Sequence, residues 1–424
     1  MRRYDSYKDS GVAWIGEIPE HWDAIKMKYL FSERSEKGFP DEPILCSTQK
    51  YGVIPQLMYE NRVVVVNKGL EGLKLVECGD FVISLRSFQG GIEYAHYRGI
   101  ISAAYTILKL VMADKLNENY VRFLFKSIPF IGLLQTCVTG IREGQNINYS
   151  ILRKSEIPVP PLNEQQNIAV FLDEKTAKID TYIQEKEKEI CSLEELKQAE
   201  IAFAVTHGIN SDAPMKDSGI AWIGEIPEHW EIKRLRICAN EYFKSNEKIH
   251  HQNLLSLSYG KIIRKDINKT DGLLPASFDK YQIVNPGHII LRLTDLQNDH
   301  KSLRVGLVAE EGIITSAYLC LNPQKGICPD FLYYLLHSYD IKKVFYGMGG
   351  GLRQSLGFEG LKNMKILVPP IAEQHLIVEY IQQKTAQIDK YIADVKIQIY
   401  SLKEYRQRLI GDAVTGRINV QPKL

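Results

Sequence analysis

Large aliphatic residues recur at Ile168, Leu172, Ile179, Ile183, Ile190 and Leu193, in steps of 4, 7, 4, 7 and 3, with charged runs such as "EKEKE" between them. On a helix this spacing gathers all six into one stripe. The same spacing returns 209 residues later at Ile377, Ile381, Ile388, Ile392, Ile399 and Leu402. The pattern predicts two amphipathic helices of roughly 40 residues, each roughly 60 Å long. An isolated rod would leave its stripe wet, so each stripe is expected to bury against the other. The eleven-residue step from Ile168 to Ile179 to Ile190 predicts a nearly straight or faintly right-handed pair. "PVPP" and "LVPP" mark the helix entries, with Asn163 as the expected cap of the first; Ala372 stands in its place in the second.

Between these segments the apolar periodicity shortens. "NRVVVVNK", "GDFVISLR" and "GHIILRL" read as strands, and "NENYVRFLFKSI" and "PDFLYYLLHS" as helices. The strongest signal is repetition itself. "KDSGVAWIGEIPEHW" from Lys8 recurs as "KDSGIAWIGEIPEHW" from Lys216, and "VPPLNEQQNIAVFLDEKTAKIDTYI" from Val159 as "VPPIAEQHLIVEYIQQKTAQIDKYI" from Val368. Two matches at nearly one offset make the chain a tandem of two halves. Tandem halves related by an internal two-fold pair their helices antiparallel. Trp14, Trp22, Trp222 and Trp230 of the repeated phrase are expected in the core. The parts divide into a mixed α/β domain over residues 1–158, a helical region over 159–207, a breaker-rich linker over 208–215, a second α/β domain over 216–367 and a second helical region over 368–424. Landmarks correspond across the unlike regions, among them Tyr51-Gly52 with Tyr259-Gly260. The fold class is therefore α+β, with internal pseudo-two-fold symmetry.

With 424 residues and 45% hydrophobic content, an ordinary globular protein of two or more domains is expected. Seven cysteines without C-x-x-C spacing or a Cys/His cluster point to a reducing cytoplasm and no structural metal. No apolar stretch reaches the length of a membrane span, and "MRRYDSYKDSG" has no apolar core of a leader, so the chain is expected to be soluble and unexported. A net charge of +2 neither supports nor excludes nucleic acid. Residues 164–200 hold ten acidic and five basic side chains, however, so the rest of the chain is more basic than the total suggests.

The order of parts, the doubled tryptophan phrase, "VPP" followed by "EQ" and "KTA(K/Q)ID", and "ISLRSFQGG" at Ile83–Gly91 together resemble the specificity subunit of type I restriction-modification systems. The resemblance spans essentially the whole chain. It implies two target recognition domains, each reading one half of a bipartite site in double-stranded DNA. It also implies a helical pair that spaces the domains and docks two methyltransferase subunits, with restriction subunits completing the nuclease. Methylation would fall on adenine N6, with S-adenosylmethionine held by the methyltransferase partner and ATP and Mg in the restriction partner. No cofactor or metal is expected on this chain, and no membrane partner.

Bases are read by side chains that reach their edges, while Lys, Arg, Ser and Thr also hold phosphates. Polar loop residues of the unlike regions are therefore the candidate DNA contacts. They are Gln49 and Lys50; Arg86, Ser87 and Gln89; Arg142, Gln145, Asn146, Asn148 and Tyr149; then Arg292, Thr294, Asp295 and Gln297; and Arg353, Gln354 and Ser355. Arg142 and Arg353 share a place after a glycine and an aliphatic, which suits a phosphate grip better than reading. No catalytic residue is expected. The "VPP" sites lack the flanking residues of a base-holding N/D-P-P-Y/F loop, "GMGGGLRQ" does not complete a dinucleotide fingerprint, and Walker A and H-E-x-x-H sequences are absent. The competing reading is a helical adapter that joins protein partners without reading DNA.

Overall fold

The structure is a computed structural model; it describes residues 2–60, 69–140, 146–247, 249, 251–267, 277–296, 298–299, 302–348 and 356–422. The chain divides into two compact units, Met1–Glu187 with Lys396–Leu424, and Lys188–Val395. "NRVVVVNK" lies outside the described residues.

The first unit is built on a four-stranded antiparallel sheet of β1 (Phe31–Arg34), β2 (Phe81–Ile83), β3 (Glu93–Tyr94) and β4 (Thr106–Leu110), in the order β1-β4-β2-β3. Side chains alternate across a pleated strand, and here both faces are covered. Phe81, Ile83 and Leu108 face one core with helices α1 (Glu118–Leu124) and α2 (Ile128–Thr136). Val82 and Ile107 face a second, smaller core with Leu45, Val53 and Val76. The second unit repeats the plan with β5 (Ala239–Glu241), β6 (Ile289–Leu291), β7 (Val305–Leu307) and β8 (Leu319–Pro323), ordered β5-β8-β6-β7. Ile289 and Leu291 join the larger core with helix α4 (Pro329–Ile341), and Ile290 and Cys320 the smaller. One α+β plan thus serves both halves.

Two long helices, α3 (Leu162–His207) and α5 (Ile371–Val414), follow the proline pairs. Both open on the carbonyl of the second proline, with Glu164 N–H to Pro161 O at 2.9 Å and Glu373 N–H to Pro370 O at 2.9 Å. Asn163 lies inside the first turn and is not the cap. Because a proline carbonyl starts both helices, the absence of an asparagine in the second copy has no consequence.

In each unit a stretch of one long helix runs opposite to a stretch of the other. In the first unit Asp180 Oδ1 meets Arg406 Nε at 2.8 Å and Glu187 Oε1 meets Lys403 Nζ at 3.6 Å. In the second, Glu189 accepts from Tyr391 OH at 2.7 Å, Lys197 pairs with Asp389 at 2.6 Å, and Glu200 accepts from Tyr380 OH at 3.1 Å. Rising numbers on one helix meet falling numbers on the other, which is antiparallel pairing. Ile168, Leu172, Ile183, Ile377, Ile381, Ile392 and Ile399 are buried, and Ile179, Ile190, Leu193, Ile388 and Leu402 are half-buried. Val395, fully buried, belongs to the same stripe and falls outside the 4-7-4-7-3 template. No described helix is long and apolar enough to cross a membrane.

Each doubled phrase docks against the start of one long helix and the end of the other. Trp22 Nε1 donates to Glu164 at 3.1 Å and His21 Nε2 lies 2.6 Å from the same carboxylate. Trp230 Nε1 donates to Glu373 at 3.0 Å, with His229 at 2.7 Å. The neighbouring glutamines are fully buried and bind backbone. Gln165 takes Asn117 N–H at 2.7 Å and gives to Pro160 O and Lys115 O; Gln374 takes Cys328 N–H at 2.7 Å and gives to Pro369 O and Gly326 O. The repeated "HW" and the repeated "EQ" are therefore two sides of one joint, formed once in each unit. The far ends of α3 and α5 carry a third repeat, "AVTHGIN" and "AVTGRIN", whose glycines, Gly208 and Gly416, both sit at φ +76 beneath Trp230 and Trp22. A left-handed residue after the last turn ends a helix, and glycine adopts it without strain.

Candidate nucleic-acid interface

In the first unit, strands Leu45–Thr48 and Gly52–Pro55 form a hairpin whose tip is Gln49-Lys50-Tyr51. Thr48 Oγ1 fastens it, accepting Tyr51 N–H at 3.0 Å and donating to Gly52 O at 3.0 Å. Gln49 and Lys50 are exposed. The loop after β2 packs on this tip: a Cβ on Gly90 would lie 2.6 Å from Gln49 Nε2, and one on Gly91, at φ +86, would lie 2.2 Å from Phe125 O. Arg86 and Gln89 on that loop are exposed, whereas Ser87 is buried, its hydroxyl accepting Ser84 N–H at 2.9 Å. The segment Ser87–Gly90 also lies against Asn146–Ile147. The fold thus brings Gln49, Lys50, Arg86, Gln89 and Asn146 into one neighbourhood.

Asn148 and Tyr149 serve local structure. Asn148 Oδ1 accepts Ser150 N–H at 3.0 Å as a helix cap, and Tyr149 is half-buried against the main core, where burial raises its phenol. Arg142 and Gln145 lie outside the described residues.

A cleft of about 700 Å³ opens beside the hairpin tip, lined by Gln49, Lys50, Gln89, Glu93, Arg122 and Gln407 among others. Glu93 is 3% exposed and pairs with Lys126, which also donates to Gly90 O at 3.0 Å and so anchors the loop. Burial, partly opposed by the ammonium of Lys126, pushes the Glu93 carboxyl up to about 7.

The second unit fastens its equivalent loop with different chemistry. Arg304 is fully buried; its guanidinium donates to the carbonyls of Arg292 (3.0 Å), Thr294 (2.8 Å), Asp295 (3.3 Å) and Asp299, and to Tyr346 OH at 3.0 Å. Its own N–H donates to Asp340 at 2.6 Å. Arg292 is half-buried and faces Asp299 at 3.6 Å; Thr294 is half-buried. Asp295 sits at φ +57, its carboxylate accepting from Asn298 at 2.7 Å. Gln297, Arg353, Gln354 and Ser355 lie outside the described residues.

Sequence reasoning passes over Glu93, Lys126, Arg304 and Asp340, which shape the loops from beneath. A signal existed for Arg304 alone: a lone arginine between "HKSL" and "VGLV", at the edge of a strand.

Comparisons with known proteins agree with this architecture. A family model described as the type I restriction modification DNA specificity domain matches residues 19–191 and 303–399. The chain is 24% identical over 433 residues to the type I restriction enzyme MjaVIII specificity subunit of Methanocaldococcus jannaschii, covering 95% of this chain and 94% of that protein. It is 25% identical over 340 residues to the type I restriction enzyme EcoBI specificity subunit of Escherichia coli, covering 73% and 68%. Its fold is similar to a chain solved in work on complex assembly and conformational transition of the type I R-M system, with TM-score 0.64, 16% identity and coverage of 94% and 98%. The HsdS subunit from Thermoanaerobacter tengcongensis follows at TM-score 0.50, 15% identity and coverage of 95% and 98%. With the family model matching residues in both halves and the MjaVIII subunit aligned over 95% of the chain, the chain belongs to the type I restriction modification DNA specificity family, as a specificity subunit.

Proposed function

We propose that this subunit reads a bipartite DNA site, one half-site for each α/β domain, and does no chemistry itself. The observation that carries the reading is one fold plan presenting two differently fastened loops, by Glu93 and Lys126 in one unit and by Arg304 and Asp340 in the other. A reader built from identical modules is bound to a palindromic site. Fusing two modules in one chain lifts that constraint, so the recognised sequence becomes two unlike blocks with an unread gap. The paired helices set the gap and dock two methyltransferase subunits. S-adenosylmethionine belongs to those partners, which methylate adenine N6; ATP and Mg belong to restriction subunits that join through the complex.

Coexpression with the methyltransferase partner, followed by mapping of N6-methyladenine, tests the reading. A split motif is expected, and exchanging residues 24–155 for another recognition domain should change one half of it. No split motif, or two unchanged halves after the exchange, would sink the proposal. A gel-shift series over salt separates it from the adapter reading, because phosphate neutralisation gives a steep log–log slope and an adapter gives no shift.

A further inference from the structure

The two hairpin tips carry the same dipeptide in otherwise unlike surroundings. Tyr51 precedes Gly52 in "STQKYG", and Tyr259 precedes Gly260 in "SLSYGK". The glycines have a backbone reason, with φ of +72 and +76. Both tyrosines are exposed, Tyr51 by 46% and Tyr259 by 80%.

Tyr259 is also held against its backbone preference. Strands Leu255–Ser258 and Lys261–Arg264 pair so that Ser258 faces Lys261, leaving a two-residue loop of Tyr259 and Gly260. Both loop residues have positive φ, Tyr259 at +45. Such loops favour Asn, Asp or Gly at the first position, and a bulky residue there is strained. An outward tyrosine kept in both copies, and kept in the second against backbone strain, points to a contact made outside the chain.

The contact is common to the two half-sites, because the same residue is kept while its neighbours diverge. Base edges differ between half-sites, whereas the sugar-phosphate backbone does not. Each tip adds a lysine: Lys50, whose Nζ lies 4.7 Å from the Tyr51 ring centroid, and exposed Lys261 beside Gly260. A phenol hydroxyl with an adjacent ammonium suits a phosphate of the duplex backbone. The first tip adjoins the loop of Arg86 and Gln89 through the Gln49–Gly90 contact.

We infer that Tyr51 and Tyr259 are equivalent, sequence-independent contacts to the DNA backbone, one per half-site, which seat the duplex while other residues read it. This rests on the DNA-reading function proposed above. The test uses the complex with the methyltransferase partner, a duplex carrying the motif found by methylation mapping, and a scrambled duplex. Tyr51→Ala and Tyr259→Ala are each expected to weaken binding to both duplexes by about tenfold and to leave the motif unchanged. Tyr259→Gly removes the ring and the strain together, and should bind as weakly as the alanine variant while melting no lower than the wild type. Wild-type affinity in the variants, an altered half-motif, or a loss confined to assembly with the methyltransferase would overturn the inference. A wild-type complex that methylates no split motif would instead indict the underlying function.

Discussion

Among the described residues, buried His337 has no counter-charge. Its Nε2 lies 3.1 Å from Gln198 Oε1, its Nδ1 has no partner among the described residues, and burial lowers the imidazole to about 4. A second ring proton would have nowhere to go. Because the folded state holds that proton less tightly than the unfolded state, the stability linked to His337 is complete above about pH 6.5 and is lost as pH falls towards 4. Relative to His337→Gln, the wild type should lose about 3 kcal/mol of second-unit stability across that window and nothing above it. Denaturant melts at a series of pH values check this, and curves that stay parallel would refute it. The residue scale also shows the limit of reading polarity from sequence. Ser87 and Asn148 are polar and loop-borne, as candidate DNA contacts must be, yet each spends its side chain on a backbone N–H two or three residues away. Such local bonds depend on backbone conformation, which letters do not display. Arg304 is the converse case, a charge legible in the sequence whose complete burial was not.

Among elements, the helices were the most legible, because a stripe of twelve aliphatics at a fixed spacing survives without any knowledge of neighbours. All twelve are buried or half-buried, and antiparallel pairing follows from duplication. The joint between "HW" and "EQ" was not legible, although both phrases stood out, because repetition marks that a segment matters without saying what it touches. Removing the carboxylate that receives a buried tryptophan N–H leaves that donor unsatisfied, at a cost of about 2 kcal/mol. Glu164→Ala should therefore lower the stability of the first unit, and Glu373→Ala that of the second, by similar amounts. Glutamine at either place keeps an acceptor and should restore most of the loss. Calorimetry on the four variants gives the comparison, and a tolerated alanine would show that the joint is ornamental.

At the scale of the whole molecule, the proposed spacing role makes a length prediction. Adding twenty-two residues to each of α3 and α5 at matching points preserves the buried face, since twenty-two residues complete about six turns. At 1.5 Å per residue the pair lengthens by roughly 33 Å, close to one turn of the duplex, so both half-sites keep facing their readers. Methylation mapping should then return both original half-motifs with a gap wider by about ten. An unchanged gap would mean that the helices do not measure it.

The first unit is discontinuous in the chain. Its core takes Leu409, Ile410, Ala413 and Val414, and the buried hydroxyl of Tyr120 donates to Val414 O at 2.9 Å. Asn419 N–H reaches back to Arg2 O at 2.8 Å. On the ribosome, the first unit therefore waits for the segment from Lys396 onward to emerge. The uninterrupted segment 188–395 has no such wait, since every residue of its compact unit is present while its predecessor is still missing a wall.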